Sequence, residues 1–293
     1  MSEADTPIDS TWIAANPLPV HGRGTTKNSR GRVLVIGGSR KVPGATRLTG
    51  EAALRVGAGK VQLATVETAA VPLGLMVPEA ATIALPEDEQ GEIGPADTAL
   101  RSALEACDTV VIGPGVGTPD GAARLLDIVL DTARDDLTLV VDAMAIGCMR
   151  DVGDKVAAFG GRIVLTPHYG EMAVLCGAEE DEIAADPRSF AHDAARTYRA
   201  VVALKGSDTV IAASDGTSLH YGGGGTGLAT GGSGDVLAGA IAGLLSRGAT
   251  PLVATGWGVW LHGQSARRMA TVSGPIGFLA RQLPDEFPHL LPQ

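Results

Sequence analysis

Aromatic residues and cysteines are both scarce in this sequence of 293 residues, which contains four Phe, three Trp, three Tyr and three Cys. The shortage of aromatics, together with 40 glycines, argues against a β-sandwich and favours an α/β enzyme with an Ala, Val, Leu and Ile core. An odd number of cysteines without a CxxC pair argues against a disulfide framework or a zinc cluster, and predicts a reducing, cytoplasmic location. The cysteines are Cys107, Cys148 and Cys176.

Positive charge and long hydrophobic runs are also lacking. The formal net charge is −10, which argues against nucleic acid as a partner, because binding a phosphate backbone needs concentrated Lys and Arg. No apolar run is long enough to span a membrane, and Glu3 and Asp5 stand where a secretory signal would be basic, so we expect neither membrane association nor secretion. The six histidines have no HxH or HxxxH spacing, which argues against zinc.

The sequence divides into a short lead segment and one long ordered region. Residues 1–30 are rich in Ser, Thr, Pro, Asn and Gly without a sustained period, which predicts an extended or poorly ordered arm that Trp12 and Ile13 could pin in part. Residues 31–293 are predicted to form a single domain. There, short β-branched runs alternate with segments of helical period, which predicts a three-layer α/β/α fold with a mostly parallel central sheet.

The predicted elements follow from these runs. Strands are predicted at 32–36, 61–65, 81–85, 109–112, 137–142, 163–166 and 201–204, with a hairpin formed by 209–213 and 218–221. Helices are predicted at 45–57, 97–106, 119–131, 186–198, 236–245 and 251–269, with a short one after 167–171. Ligands of open α/β sheets bind outside the carboxyl ends of the strands, and the polar and glycine-rich features of this sequence fall at such ends.

The most informative stretch is Gly231-Gly232-Ser233-Gly234-Asp235, which opens an apolar helical segment that Gly248 terminates. Clustered glycines before a helix N-terminus let a ligand approach unpaired N–H groups, an arrangement that suits phosphate. Asp235 then has two interpretations. It could be a base beside a bound phosphate, or it could only cap the helix and favour its dipole.

Other motifs in the chain are weak. The segment 222–227 matches GxGxxG literally, but it follows a predicted hairpin and precedes no immediate helix, so it does not predict a dinucleotide site. Gly59-Lys60 is followed by Val61, so the P-loop pattern is absent. His168 could be an ordinary hydrogen-bonded loop histidine.

Taken together, the motifs resemble a known family. Gly232-Ser233-Gly234-Asp235 resembles the GxGD signature of the ribokinase-like superfamily, whose glycines form an anion hole and whose Asp is the base. The order and spacing of the motifs over about residues 31–270 resemble those of the NAD(P)H-hydrate dehydratases. Some members of that family carry a fused N-terminal epimerase domain. A chain of this length is too short for that domain, so epimerase activity is not expected. The matching segments are 35–38, 43–45, 113–117, 142–143, 165–171, 204–206 and 230–235.

The resemblance implies a ribokinase-like fold and repair of hydrated NADH and NADPH, with ADP (or ATP) as co-substrate, Mg²⁺, and conversion of ADP to AMP and phosphate. Asp235 would be the catalytic base. The implied contacts are Ala45, Gly117, His168 and Asp235 for the hydrated cofactor, Lys205, Gly206, Ser207, Asp208, Thr209 and Gly234 for the adenine nucleotide, and Gly232, Ser233 and Gly234 for the anion hole. No metal ligand is identified, and Ser207-Asp208 departs from the more usual Gly-Ala.

Two other functions remain open at this point. A small-molecule kinase of the same fold would phosphorylate a vitamin or sugar hydroxyl, and a nucleotide-binding regulator would have no turnover. The Thr-Pro-His-x-Gly-Glu loop favours the dehydratase over the kinase, and retention of Asp235 with a complete glycine loop argues against the regulator. A homo-oligomer, a tetramer by resemblance, is also expected, and the apolar cluster of Trp257, Val259, Trp260 and Leu261 is either its interface or part of the core.

Overall fold

The computed structural model describes residues 5–292. Its described strands form one sheet in the order β1-β10-β9-β8-β7-β6-β5-β2-β3-β4, in which only β9 runs against the others. The strands are β1 Thr6–Pro7, β2 Arg32–Ile36, β3 Lys60–Val66, β4 Ala81–Leu85, β5 Thr109–Ile112, β6 Thr138–Val141, β7 Ile163–Leu165, β8 Val201–Lys205, β9 Thr209–Ala212 and β10 Ser218–Tyr221.

Helices cover both faces of this sheet. They are α1 Ser10–Ala15, α2 Gly44–Arg55, α3 Glu67–Met76, α4 Asp97–Glu105, α5 Pro119–Leu130, α6 Met144–Cys148, α7 Tyr169–Cys176, α8 Glu180–Ala185, α9 Pro187–Tyr198, α10 Ser233–Ser246, α11 Pro251–Ser273 and α12 Leu283–Leu290. Helices α2, α10, α11 and α12 pack together on one side, while α4, α5, α6, α7 and α9 pack in succession elsewhere. Short 3₁₀ helices are at Met149–Asp151, Gly153–Phe159, Thr226–Leu228 and Ala280–Gln282.

The central strands are buried on both faces, as their continuous Val, Ile and Leu runs predict for a parallel sheet. The buried apolar residues form one contiguous cluster that includes both helical layers. The chain reverses its direction of travel across the sheet between β2 and β5, which are neighbours although β3 and β4 intervene in sequence. A crevice for ligands is expected at this switch point and along the adjacent carboxyl ends.

Helices α2 and α10 come unusually close to each other. A Cβ added at Gly239 would lie 2.1 Å from the Thr49 backbone oxygen, and one added at Gly243 would lie 2.6 Å from the Ala53 backbone oxygen. The two glycines fall one turn apart on α10, as the sequence predicts. The contact is therefore made between backbones at Gly239, and with both the Ala53 backbone and the Val56 side chain at Gly243.

The lead segment departs from the predicted arm. Residues 5–16 contain β1, which pairs with β10, and α1, which Asp9 caps through two backbone N–H groups. Trp12 is buried against Gly256, and the Trp257 indole donates to the Asn16 carbonyl at 2.7 Å. A two-residue strand and a short helix have too few positions for a sequence period, which is why the pattern did not predict them.

The structure adds one helix that the sequence did not predict, and it decides between the two alternatives for the apolar cluster around Trp257. Helix α3 was not predicted, because Pro72 lies inside it and the segment is apolar on all sides. Trp257, Val259 and Leu261 are buried in the core and Trp260 packs against it, so this cluster does not provide a surface for a second copy. Among residues 5–292, no helix has the length and apolar character needed to cross a membrane.

Candidate active site

A cavity of about 860 Å³ opens at the carboxyl ends of β6, β7 and β8. The start of α10 forms one wall, the glycine-rich segment after β10 forms another, and α11 closes the back. Its lining residues are Asp142, Ala143, His168, Glu171, Lys205, Gly206, Ser207, Thr209, Tyr221, Gly223, Gly224, Gly225, Thr226, Leu228, Ala229, Thr230, Gly232, Ser233, Gly234, Asp235, Leu237, Val259, His262 and Gly263.

The N-terminus of α10 points into this cavity without a side-chain cap. Gly232 occupies the N-cap position with a φ of 88°, a left-handed conformation that suits glycine. The Ser233 amide donates to the Thr230 carbonyl at 3.3 Å, so the next amides of the first turn are the ones best placed to receive an anion. Asp235 lies in this first turn and makes no capping hydrogen bond. The N-cap position belongs to Gly232, so Asp235 is not a side-chain cap, although its place in the first turn still favours the helix dipole.

The charged floor of the cavity is built from three neighbouring strand ends. The Lys205 ammonium donates to Asp142 Oδ1 at 3.1 Å, and the Thr166 hydroxyl donates to the same oxygen at 2.7 Å. Glu171 Oε2 lies 3.8 Å from Lys205 Nζ. Burial acts to lower the pKa of Lys205, but attraction to Asp142 and Glu171 outweighs it and raises this pKa above its usual value. Lys205 is thus a fixed cation facing a site suited to phosphate.

Asp235 faces this floor and is electrostatically unusual. Burial is the largest cause that raises the pKa of Asp235, to about 7, and repulsion from Asp142 is the second. Attraction to Lys205 opposes this rise. Burial also raises the pKa of Glu171, partly offset by Lys205. A carboxyl group with a pKa near neutrality can accept a proton and still be ionised in half of the molecules at that pH. The arrangement suits general-base chemistry beside a phosphate.

His168 has a defined local role. It is the N-cap of α7, where its Nδ1 accepts from the Glu171 amide at 3.2 Å and the Glu171 carboxylate accepts from the His168 amide at 2.8 Å. This reciprocal capping box leaves the imidazole exposed at the rim of the cavity. The ordinary loop-histidine interpretation therefore accounts for Nδ1, while Nε2 lies 3.5 Å from Glu171 Oε1 on the exposed side of the ring.

His262 belongs to the site and was not predicted from the sequence. It lies in the middle of α11, is buried, and its Nε2 is 2.9 Å from the Ser233 hydroxyl at the start of α10. Burial lowers the pKa of His262 to about 4, so the ring is neutral. No motif surrounds His262 in the sequence, and only the packing of α11 on α10 brings it to the site.

The structure brings most, but not all, of the predicted residues together in the cavity. Asp208 is outside the lining and pairs with His220, whose Nε2 is 3.1 Å from its carboxylate. Ala45 and Gly117 follow β2 and β5 at the switch point, and they also lie outside the lining. The predicted residues that line the cavity are His168, Lys205, Gly206, Ser207, Thr209, Gly232, Ser233, Gly234 and Asp235.

Comparisons with known proteins show the family of this chain. Residues 33–289 match the family model described as NAD(P)H-hydrate dehydratase. The ADP-dependent (S)-NAD(P)H-hydrate dehydratase of Xanthomonas campestris pv. campestris is 45% identical, covering 97% of this chain and 95% of that protein. The chain spans about half of the bifunctional NAD(P)H-hydrate repair enzyme of Moorella thermoacetica, which is 37% identical over 97% of this chain and 53% of its own length.

The solved structures confirm the predicted ribokinase-like three-layer fold. The ADP/ATP-dependent NAD(P)H-hydrate dehydratase from Bacillus subtilis, co-crystallised with ATP and Mg²⁺, has a TM-score of 0.83 and 28% identity, covering 99% of this chain and 98% of that one. A hydroxyethylthiazole kinase from Pyrococcus horikoshii, at 16% identity and a TM-score of 0.59 over 91% of each chain, shares the fold alone. The chain belongs to the NAD(P)H-hydrate dehydratase family.

Proposed function

We propose that this protein dehydrates the hydrated forms of NADH and NADPH back to NADH and NADPH and converts ADP to AMP and phosphate. The observation that carries the proposal is Asp235, a carboxyl group with a pKa of about 7 in the first turn of a helix whose amides face the cavity. Base and anion hole are then adjacent, as phosphoryl transfer to a hydroxyl requires. The names of the relatives from X. campestris and B. subtilis support the same activity.

The chemistry follows from the poor leaving ability of hydroxide. The hydroxyl oxygen of the hydrated ring attacks the β-phosphorus of ADP, Asp235 accepts the hydroxyl proton, and the bond from that phosphorus to the bridging oxygen breaks to release AMP. The ring nitrogen lone pair then expels phosphate as the carbon–oxygen bond breaks. Loss of a proton from the neighbouring carbon restores the ring double bond. Amides at the start of α10 and the Lys205 ammonium stabilise the charge on the transferred group.

The two ligands are assigned to different strand ends. The segment 205–209 after β8 and Gly234 contact the adenine nucleotide, with its phosphates directed at the anion hole of Gly232, Ser233 and Gly234. His168 and the switch-point residues Ala45 and Gly117 contact the hydrated nicotinamide. Asp235 is assigned to act on the hydroxyl group of the hydrate where the two ligands meet. This assignment predicts that the two ligands bind together, as an in-line transfer requires.

Asp142 and Glu171 fit a magnesium ion in this site. Proteins commonly hold Mg²⁺ by one or two carboxylates together with waters and substrate phosphates, so two carboxylates would be enough. Both carboxylates line the cavity, and a Cβ at Gly234 would lie 4.0 Å from Asp142 Oδ2. Bound there, Mg²⁺ would neutralise phosphate charge.

Turnover of hydrated NADPH tests the proposal. The protein is incubated with hydrated NADPH and ADP, and recovery of the near-ultraviolet absorbance of reduced nicotinamide is followed while AMP and phosphate are quantified. We expect equal molar yields of NADPH, AMP and phosphate. A stable phosphoester product with no phosphate release would instead identify a small-molecule kinase, and a second series with ATP in place of ADP defines the nucleotide preference.

The proposal also includes the domain organisation, the oligomeric state and the cellular location of the protein. We propose that residues 31–293 form one domain against which residues 5–30 pack, supported by the single contiguous core. A homo-oligomer is supported by exposed Val71, Leu75 and Met76 on α3, next to the edge strand β4. A cytoplasmic location is supported by three free cysteines. Sedimentation of the protein and of Leu75→Glu tests the oligomer, since a monomeric wild-type protein contradicts it.

A further inference from the structure

The start of α10 is weakly held by its own sequence. Gly231, Gly232 and Gly234 surround Ser233, the N-cap residue has no side chain, and the Ser233 amide makes only a 3.3 Å bond to Thr230. Glycines leave the backbone with more accessible conformations than other residues. An anion hole, however, stabilises a transition state only if its amides are held in place before the reaction. Something outside this loop must therefore fix it.

His262 supplies a side-chain contact to Ser233, a hydrogen bond of 2.9 Å between Nε2 and Oγ. Ser233 and His262 are both buried, and His262 is carried by α11, which packs along α10. The long, rigid α11 thus reaches across to the first residue of α10. Because Ser233 begins the helix, its position determines where the following amides point.

His262 is poorly suited to be a second base. Burial lowers the pKa of His262 to about 4, and its polar contact is to Ser233 rather than to Asp235. A buried neutral imidazole with a hydrogen-bonded hydroxyl is a stable, uncharged anchor. Its position in the wall of the cavity also distinguishes it from a residue that only fills the core.

We propose that His262 is a positioning residue that fixes Ser233, and through it the amides of α10 that receive the transferred phosphoryl group. The inference rests on the proposed function for the identity of that group. The contact between His262 and Ser233 stabilises the transition state, in which the charge on the transferred oxygens is greatest. It does not contribute to ground-state binding of the nucleotide. We therefore expect loss of kcat with little change in KM.

Two variants of the full chain separate positioning from packing. His262→Leu removes the hydrogen bond at similar volume, whereas His262→Gln carries an amide nitrogen that reaches about as far as Nε2. With hydrated NADPH and ADP, we expect His262→Leu to lower kcat about tenfold with KM for ADP changed less than about twofold, a smaller loss than deleting an anion-hole donor outright. His262→Gln should recover at least half of that loss on a logarithmic scale.

Ser233→Ala provides the partner measurement. It should lower kcat as His262→Leu does, and the double variant should lose no more than either single one, because both remove the same interaction. The acidic limb of the pH profile should stay in place in all variants, since His262 is not the titrating base. If His262→Leu does not fold, Ser233→Ala and His262→Gln still decide the question.

The alternative outcomes are distinct. Wild-type kcat in His262→Leu, equal losses in His262→Leu and His262→Gln, or additive losses in the double variant would overturn the positioning role while leaving the proposed function intact. Absence of turnover in the wild-type protein would instead overturn the proposed function. Calorimetric titration with ADP then tests the same point independently of turnover. An unchanged ADP affinity in His262→Leu supports a positioning role, and a clearly weaker ADP affinity refutes it.

Discussion

Replacement of Asp235 by asparagine should abolish activity and at the same time stabilise the protein. Asparagine has the same shape but cannot accept the hydroxyl proton, so kcat should fall by about 10²–10⁴-fold, the usual contribution of a general base. Nucleotide affinity should be unchanged or tighter, because a negative charge beside the phosphates is removed. A merely structural Asp235 predicts nearly full activity.

The stabilisation follows from the pKa of Asp235. Its value rises from 3.8 to about 7 on folding, a shift of about three units that corresponds to ~4 kcal/mol at 1.36 kcal/mol per unit. Solvent in the cavity screens part of this, so about 2 kcal/mol is expected. Since the folded state holds the proton more tightly, the ionised carboxyl group costs stability as pH rises from 3.8 to 7. The advantage of Asp235→Asn should therefore be largest above pH 7 and vanish near pH 4.

Denaturant titrations at a series of pH values, paired with the turnover assay, measure both effects on the same samples. Asp120→Asn is a matched control, because Asp120 also lies in the first turn of a helix but outside the cavity. It should leave kcat unchanged and lack the pH-dependent gain in stability. Wild-type turnover in Asp235→Asn would refute the proposed base, and a pH-independent stability difference would refute the raised pKa.

Further predictions concern residues around Asp235 and the packing of α10. His168→Asn should preserve stability, because asparagine caps helices, while it raises KM for the hydrate and leaves ADP binding unchanged. His168→Ala should have the same effect on KM and should also lower the free energy of unfolding by about 1 kcal/mol. Equal weakening of the binding of both ligands would indicate a purely structural residue. Asp142→Asn should move the acidic limb of the kcat/KM profile below the wild-type position near 7, because it removes the repulsion that raises the pKa of Asp235; an unmoved limb contradicts this. Gly239→Ala should cost about 1–3 kcal/mol in chemical denaturation, since its Cβ would meet a backbone oxygen of α2 at 2.1 Å, whereas Gly44→Ala, with nothing within 4 Å, should not.

The central sheet could be predicted from the sequence because its strands are short, buried on both faces and rich in Val, Ile and Leu. The start of α10 was equally predictable, since clustered glycines before an apolar helical period have few other structural explanations. Asp142 was predicted at a strand end and within a segment that matches the family, but no role was predicted for it. Its partner Lys205 is 63 residues away in sequence, and only the order of β6, β7 and β8 brings them within 3.1 Å.

His262 and the capping role of His168 could not be predicted for a related reason. A histidine in the middle of an apolar helix gives no sign of what it faces, because that depends on the angle at which α11 crosses α10. The capping role of His168 depends on a side-chain rotamer, which sequence spacing does not fix. Residues 5–16 add a strand and a helix whose order comes from docking onto β10 and Trp257, not from local propensity.

The backbone contact between α2 and α10 has a consequence for the reaction coordinate. On the proposed assignment, α2 begins beside Ala45 at the hydrated ring and α10 begins at the phosphate, so the helices that meet at Gly239 and Gly243 each carry one reactant at their first turn. Main-chain atoms in direct contact cannot approach further, and at Gly239 the three atoms nearest to an added Cβ all belong to the Thr49 backbone. The backbones of α2 and α10 thus set the distance that the attacking oxygen must cross. In such a step a displacement of about 1 Å can cost about 10²-fold in rate.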